Sequence, residues 1–235
     1  MKLYRPAVTT IDFPNELAIV VFTRGCNLRC PVCHNPPLVL VDEYEEPQVW
    51  AIDEVIDFAR DKWADGICVT GGEPTIHADL VDALSAFKVA GFKTKLDTNG
   101  VDPMMRLNAA ISLGVLDFVA LDVKAPLDDR LHRVAGKVGC DKYVELSISI
   151  LSESSVAHHF RTVCFEKFLS PQDIGDIANS LPSSGEYLLL PFDPHDTLDK
   201  DLRNEKPAEY PYLRACLAEA RKHVQNTRIS GMDEL

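Results

Sequence analysis

Residues 17–38 read LAIVVFTRGCNLRCPVCHNPPL. Leu17 to Thr23 form a short apolar run rich in β-branched side chains, the pattern of a buried strand. The run stops at Thr23-Arg24-Gly25 and delivers three cysteines, Cys26, Cys30 and Cys33, within eight positions. Thiols packed that densely along a chain are not core filling. Cys30-Pro31-Val32-Cys33-His34 fits the haem-attachment pattern, the three thiols with His34 could make a zinc site, and the same three could carry an iron–sulfur cluster.

Working outward, the same unit recurs. Apolar runs at 66–70, 93–98, 117–123, 144–151, 160–164 and 186–190 read as further strands. Segments 52–64, 78–90, 102–113, 128–135 and 171–180 read as helices, with apolar residues at three- and four-residue spacing as in Val55, Ile56, Ala59 and Trp63. A last helix over about 208–225 precedes a polar tail ending in MDEL, and the loop at 191–211 is the irregular stretch. Strands alternating with helices predict a parallel sheet with crossover connections. The expected fold is a single-domain α/β chain, a partial (β/α)6 TIM-like barrel with mostly parallel strands. Its core would span about 15–190, with a C-terminal loop and helix over 191–235.

Nearly every expected strand runs into polar or glycine residues: Thr23-Arg24-Gly25-Cys26, Thr70-Gly71-Gly72-Glu73-Pro74, Asp97-Thr98-Asn99-Gly100, Asp122-Val123-Lys124 and Pro191-Phe192-Asp193. In a parallel barrel the carboxyl ends of the strands share one face, so these separate signals should meet in space.

Composition narrows the function. The chain has 235 residues, 46% of them hydrophobic, and no run approaches the roughly 18 apolar residues of a membrane span. The N-terminus lacks the apolar core of a secretory signal, which predicts a cytoplasmic chain with reduced thiols and weighs against haem attachment and disulfides. With 36 acidic against 24 basic residues, a net charge of -12 disfavours nucleic acid as a partner.

Zinc would take four protein ligands, and His34, adjacent to Cys33, points away from it. A cubane held by only three cysteines keeps one iron open to a small ligand. The two glycines at 71–72 suit close approach of backbone to a ligand, and the neighbouring Glu73 carboxylate can accept bonds from an ammonium group. Cys26, Cys30 and Cys33 at C-x3-C-x2-C spacing, with Gly71-Gly72-Glu73-Pro74, resemble the hallmarks of the radical S-adenosylmethionine superfamily.

That resemblance implies a 4Fe-4S cluster on the three cysteines and S-adenosylmethionine chelated to the open iron. Reductive cleavage of its sulfonium would give a 5′-deoxyadenosyl radical, with no catalytic side chain beyond the cofactors. Gly71 to Pro74 would meet the methionine amino group, and His34 matches the family's CHN. Val32 stands where many relatives carry an aromatic residue against the adenine.

The stretch TTIDFPNELAIVVFTRGCNLRCPVCHNPPL is similar to the opening of the glycyl-radical-enzyme activases, above all the activating proteins of anaerobic ribonucleoside-triphosphate reductase. Asn15 replaces the glycine of their D-(Y/F)-P-G-like turn, a change Asn tolerates because it can adopt a positive φ. The likeness continues through DTNG at 97–100, DVKAP at 122–126 and LLPF at 189–192. It implies that Asp97, Thr98 and Asp122 hold a monovalent cation beside the S-adenosylmethionine carboxylate and that Lys124 pairs with that carboxylate, with Asn99 and Val123 as cofactor neighbours. A histidine follows LPF in pyruvate formate-lyase-type activases; here the position is Asp193 and the histidine is displaced to His195, so either would approach the cofactor. Cys68, Cys140, Cys164 and Cys216 share no short spacing and read as buried reduced thiols.

The implied protein is an oxygen-sensitive activase that generates a glycyl radical on a partner enzyme and is reduced by a flavodoxin- or ferredoxin-like donor. The alternatives are a radical enzyme acting on a small molecule, similar to the 7-carboxy-7-deazaguanine synthases, and a zinc-stabilised binding module.

Overall fold

A computed structural model describes residues 1–232, so the end of the MDEL tail, 233–235, lies outside the described residues. The strands are β1 (Leu3–Thr9), β2 (Ala18–Thr23), β3 (Val49–Trp50), β4 (Gly66–Gly71), β5 (Lys93–Thr98), β6 (Phe118–Asp122), β7 (Ala157–Cys164), β8 (Tyr187–Pro191) and β9 (Thr227–Ile229). They form one sheet in the order β3-β1-β2-β4-β5-β6-β7-β8-β9. From β2 to β9 every neighbouring pair is parallel, while β1 pairs antiparallel with both β2 and β3. Helices α1 (Pro36–Val39), α2 (Ile52–Asp61), α3 (Leu80–Val89), α4 (Arg106–Ser112), α5 (Asp129–Ala135), α6 (Asp141–Glu153), α7 (Pro171–Asn179) and α8 (Tyr210–Ala220) lie between and after the strands. The partial barrel expected from the alternation is present. Among the described residues no helix is long and apolar enough to cross a membrane.

Each strand has two faces because successive side chains alternate. One phase, Ile19, Val21, Ile67, Val69, Leu96, Val119, Leu121, Phe160 and Leu189, joins the main hydrophobic core together with Val55, Leu84, Leu107, Leu131, Ile148 and Ile174 from α2 to α7. The other phase carries Lys95, Asp97, Asp122, His159 and Arg161. Strands β5, β6 and β7 are therefore apolar on their helix-facing side and carry charged side chains on their inner side.

One expected strand is a helix. Residues 144–151 alternate apolar and polar in sequence, yet they lie in α6, where the buried set is Val144, Ser147, Ile148 and Leu151. That is helical spacing, with Ser147 as the polar member that masked it. Its hydroxyl donates to the Gly100 carbonyl at 2.8 Å, so α6 braces the loop after β5. Strands β1, β3 and β9 were not foreseen: β1 contains Pro6 and a residue of positive φ, Arg5, β3 has only two residues and β9 only three. The 191–211 loop contains a 3-10 turn at Lys200–Asn204 whose Leu202 packs with Val32, Phe165 and Phe192. Helix α8 buries Leu213, Cys216 and Ala220, and the Tyr212 hydroxyl donates to the Leu169 carbonyl at 2.7 Å. Cys68, Cys140, Cys164 and Cys216 are buried free thiols, Cys140 as the residue that caps the start of α6.

Asn15 turns the chain into β2 at φ 62°, the left-handed conformation expected of it. Asn15→Ala should lower the stability of the apo-protein by about 1 kcal/mol while Asn15→Gly leaves it level or higher, since only a β-carbon without a local polar group is strained there; thermal unfolding of the two variants decides.

Candidate active site

The loops that follow β2, β4, β5 and β6 converge on one cavity of about 410 Å³, within the size range of small-molecule sites. Cys26, Cys30, Val32, Cys33, His34, Gly71, Gly72, Glu73, Asp97, Thr98, Asn99, Asp122 and Lys124 line it. Pro74, Val123, Asp193 and His195 do not. Pro74 is buried at the start of a 3-10 turn, and Val123 is buried with its N–H donating to the Arg161 carbonyl at 2.9 Å. Asp193 and His195 are exposed and bonded to each other, so neither side chain reaches the cavity wall; Leu190 does so in their place. His34 Nε2 instead pairs with the Asp193 carbonyl at 2.8 Å, which joins the cysteine loop to the late loop.

The cysteine loop is held from several sides. Gly25 N–H donates to the Leu38 carbonyl, and Arg29 N–H to the Ala135 carbonyl. Leu198 N–H and Asp199 N–H donate to the Cys33 and Pro31 carbonyls. Asn27 donates from Nδ2 to the Val101 carbonyl at 2.7 Å and accepts from Asn99 Nδ2 at 2.9 Å, tying the thiols to the loop after β5.

Gly71 and Gly72 serve the neighbouring backbone. A β-carbon at Gly72 would lie 1.9 Å from the Gly25 carbonyl oxygen, and one at Gly71, whose φ is +120°, would lie 2.3 Å from Thr23 N. Their lack of side chains lets Gly72 N–H reach the Thr23 carbonyl at 2.9 Å and Glu73 N–H the Gly25 carbonyl at 2.8 Å. Glu73 is then buried as a hub. Its Oε1 accepts from Thr75 N, Thr75 Oγ1 and Thr98 Oγ1 at 3.0, 2.7 and 2.7 Å, and its Oε2 accepts from Asn99 N at 2.7 Å. Burial pushes this carboxyl above its ordinary value, against the pull of those four donors.

Charges fill the inner face beside the thiols. Arg161, on β7 in register with Asp122 on β6, donates from Nε to Asp122 Oδ1 at 2.7 Å and from Nη1 to Asp97 Oδ2 at 3.1 Å. Lys124 bonds Asp122 Oδ2 at 2.8 Å, and the fully buried Lys95 bonds Asp97 Oδ1. Burial alone would raise both aspartates, but the Arg161 guanidinium with Lys124 or Lys95 overrides it and holds them below the usual carboxylate range. Burial likewise would lower Lys124, and the Asp122 carboxylate overrides it. The motif reading missed Arg161, Lys95 and Asn27. A lone Arg or Lys inside an apolar strand was the available signal, since neither is buried without a partner.

Comparison with known proteins agrees with this geometry. Residues 20–179 match the Radical SAM superfamily. The chain belongs to that superfamily. A Methanocaldococcus jannaschii protein that carries the provisional name of a glycyl-radical enzyme activating enzyme is 30% identical over 94% of this chain and 92% of its own length. A pyruvate formate-lyase-activating enzyme of Listeria monocytogenes is 32% identical, over 49% of each chain. Among solved structures, Streptococcus suis SuiB bound to S-adenosylmethionine superposes with a TM-score of 0.64 at 14% identity, covering 90% of this chain and half of SuiB, a likeness of fold.

The superfamily's cofactors are a 4Fe-4S cluster and S-adenosylmethionine, and the residues present fit them. The three thiols line one cavity, where burial pushes Cys26 up to about 12 and Cys30 up to about 11 and also raises Cys33. Such thiols ionise only beside a strong positive charge, which iron supplies. Leu28 N–H and Asn99 Nδ2 already face Cys26 Sγ at 3.4 and 3.8 Å, the donors a ligating sulfur needs. Among the described residues no group of three His, Cys, Asp or Glu side chains is placed to hold a single metal ion. Among the described residues a single zinc ion has no ligand set. A cubane spreads its cysteines over different irons and does not require that convergence.

Glu73→Gln should cost the apo-protein about 1–3 kcal/mol, because an amide NH2 must face Asn99 N–H or the Thr75 and Thr98 donors and leave them unpaired; urea denaturation under reducing conditions measures it, and an unchanged midpoint would show that Glu73 is no hub.

Proposed function

We propose that this radical S-adenosylmethionine enzyme is the activase of a glycyl-radical enzyme, and that its partner is an anaerobic ribonucleotide reductase. What carries the proposal is one cavity that unites the three thiols, the Gly71-Gly72-Glu73 turn and Lys124, in a chain that matches a relative of that name over 94% of its length. The reductase as partner rests on the resemblance of residues 9–38 to the opening of that group's activating proteins.

Cys26, Cys30 and Cys33 would hold the cluster, and Lys124 would take the carboxylate of S-adenosylmethionine. The backbone of Gly71 and Gly72 would lie along its methionine part, with Val32 and Asn99 against the nucleoside. When bound, these cofactors supply one-electron reductive cleavage of the sulfonium and a carbon radical able to take hydrogen from a partner's glycine. The protein's task is to fix that geometry and to exclude water and rival hydrogen donors, which the loop from Phe192 to Leu202 serves by covering Val32. The electron would come from a flavodoxin- or ferredoxin-like protein in the cytoplasm.

The anaerobically reconstituted protein, mixed with S-adenosylmethionine, a reductant and an anaerobic ribonucleotide reductase, should yield a glycine-centred radical in the EPR spectrum. Turnover of a small metabolite with no protein radical would refute the activase reading. Replacing any one of Cys26, Cys30 or Cys33 by Ala should abolish stable iron incorporation and the radical together, measured as bound iron per chain and EPR amplitude, whereas Cys216→Ala should keep both.

A further inference from the structure

Homology implies a monovalent cation at Asp97, Thr98 and Asp122, and in this chain those groups are already engaged. Each of the four carboxylate oxygens has a cationic partner: Lys95 and Arg161 on Asp97, Arg161 and Lys124 on Asp122. The Thr98 hydroxyl gives its proton to Glu73 and accepts from Gly100 N–H at 3.1 Å. Two carboxylates thus face three cationic side chains, so a further cation would enter a cluster where positive groups already outnumber the carboxylates and like charges repel. The residues present do not fit an added ion.

We propose that Arg161 is the site's built-in cation: its guanidinium bridges Asp97 and Asp122, and the chain binds S-adenosylmethionine without recruiting an inorganic monovalent ion. Guanidinium suits the task because it is always charged and its donors form a rigid fork, so two edges can serve two carboxylates at once. The register of β7 against β6 fixes its position, placing Arg161 opposite Asp122. Arg161 also lines the cavity, and among the described residues its Nη2 has no protein acceptor, which leaves donors free for a ligand carboxylate. Arg161 is a positioning residue in this role. The inference rests on the superfamily's S-adenosylmethionine site and not on the choice of partner, so failure of radical transfer to a reductase leaves it intact.

The test is S-adenosylmethionine affinity of the anaerobically reconstituted holoprotein at constant ionic strength in potassium, sodium or choline chloride. The dissociation constants should agree within about twofold, whereas a loss of about tenfold or more in choline, the size of a coupling between adjacent ligands, would overturn the proposal. In Arg161→Met the two aspartates lose their bridge, so affinity should fall about tenfold in choline and recover with potassium or millimolar guanidinium. Binding by that variant that ignores both cations would refute the role, and a merely structural arginine would not confer cation dependence. If Arg161→Met fails to fold, the wild-type salt series still decides.

Discussion

The carbonyl oxygen of Gly25 sits 1.9 Å from where a β-carbon on residue 72 would stand. That near-contact of two backbones is the constraint on which the site depends. It allows the parallel pairing of β2 and β4 to continue past the strands as Gly72 N–H to Thr23 and Glu73 N–H to Gly25. The cysteine loop therefore leaves β2 from a fixed point, and Glu73 is carried beneath it to meet Thr98 and Asn99. Asn27 and Asn99 close the triangle from above. Three loops with no regular structure become rigid because each satisfies the others' buried polar groups, and a site built this way needs little reorganisation when its ligands bind.

The inner face of the sheet poses a second problem. Lys95, Asp97, Asp122, Lys124 and Arg161 are charges held largely out of water, a costly arrangement unless each is paired. They are paired in a ladder across β5, β6 and β7. Below it Phe118 packs edge-on against His159 at 5.0 Å and closes the interior. Burial, with Arg161 and Lys95 adding to it, pushes His159 down to about 3, so the ring stays neutral and adds no further charge. Asp97, Asp122, Lys124 and Arg161 of this ladder line the cavity, fixed charges suited to a charged nucleoside and a cluster of thiolates.

Much of this was legible in the chain. The alternation of apolar runs and amphipathic segments gave the parallel sheet, and the residues at the strand ends named most of the cavity wall. One reading went astray for a physical reason. Residues 144–151 alternate like a strand, but Ser147 faces inward to bond Gly100, so the helical period was disguised by one buried hydroxyl. The glycines at 71 and 72 line the cavity, and their missing side chains also let the Thr23 and Gly25 backbones approach. Asp193 and His195, expected beside the cofactor, lie outside the cavity wall in this structure, where the Asp193 carbonyl pairs with His34.

By itself the sequence determined which residue types would be present at the ends of the strands, because periodicity and turn chemistry are local properties. It fixed the three thiols, the glycine pair and the acidic strand ends. Tertiary structure alone decided how the charges among them are shared. Arg161 is separated from Asp122 by 39 residues and from Asp97 by 64, and only the registers of β5, β6 and β7 bring the three together. A pairing set by strand register across crossover helices has no signature in the local sequence.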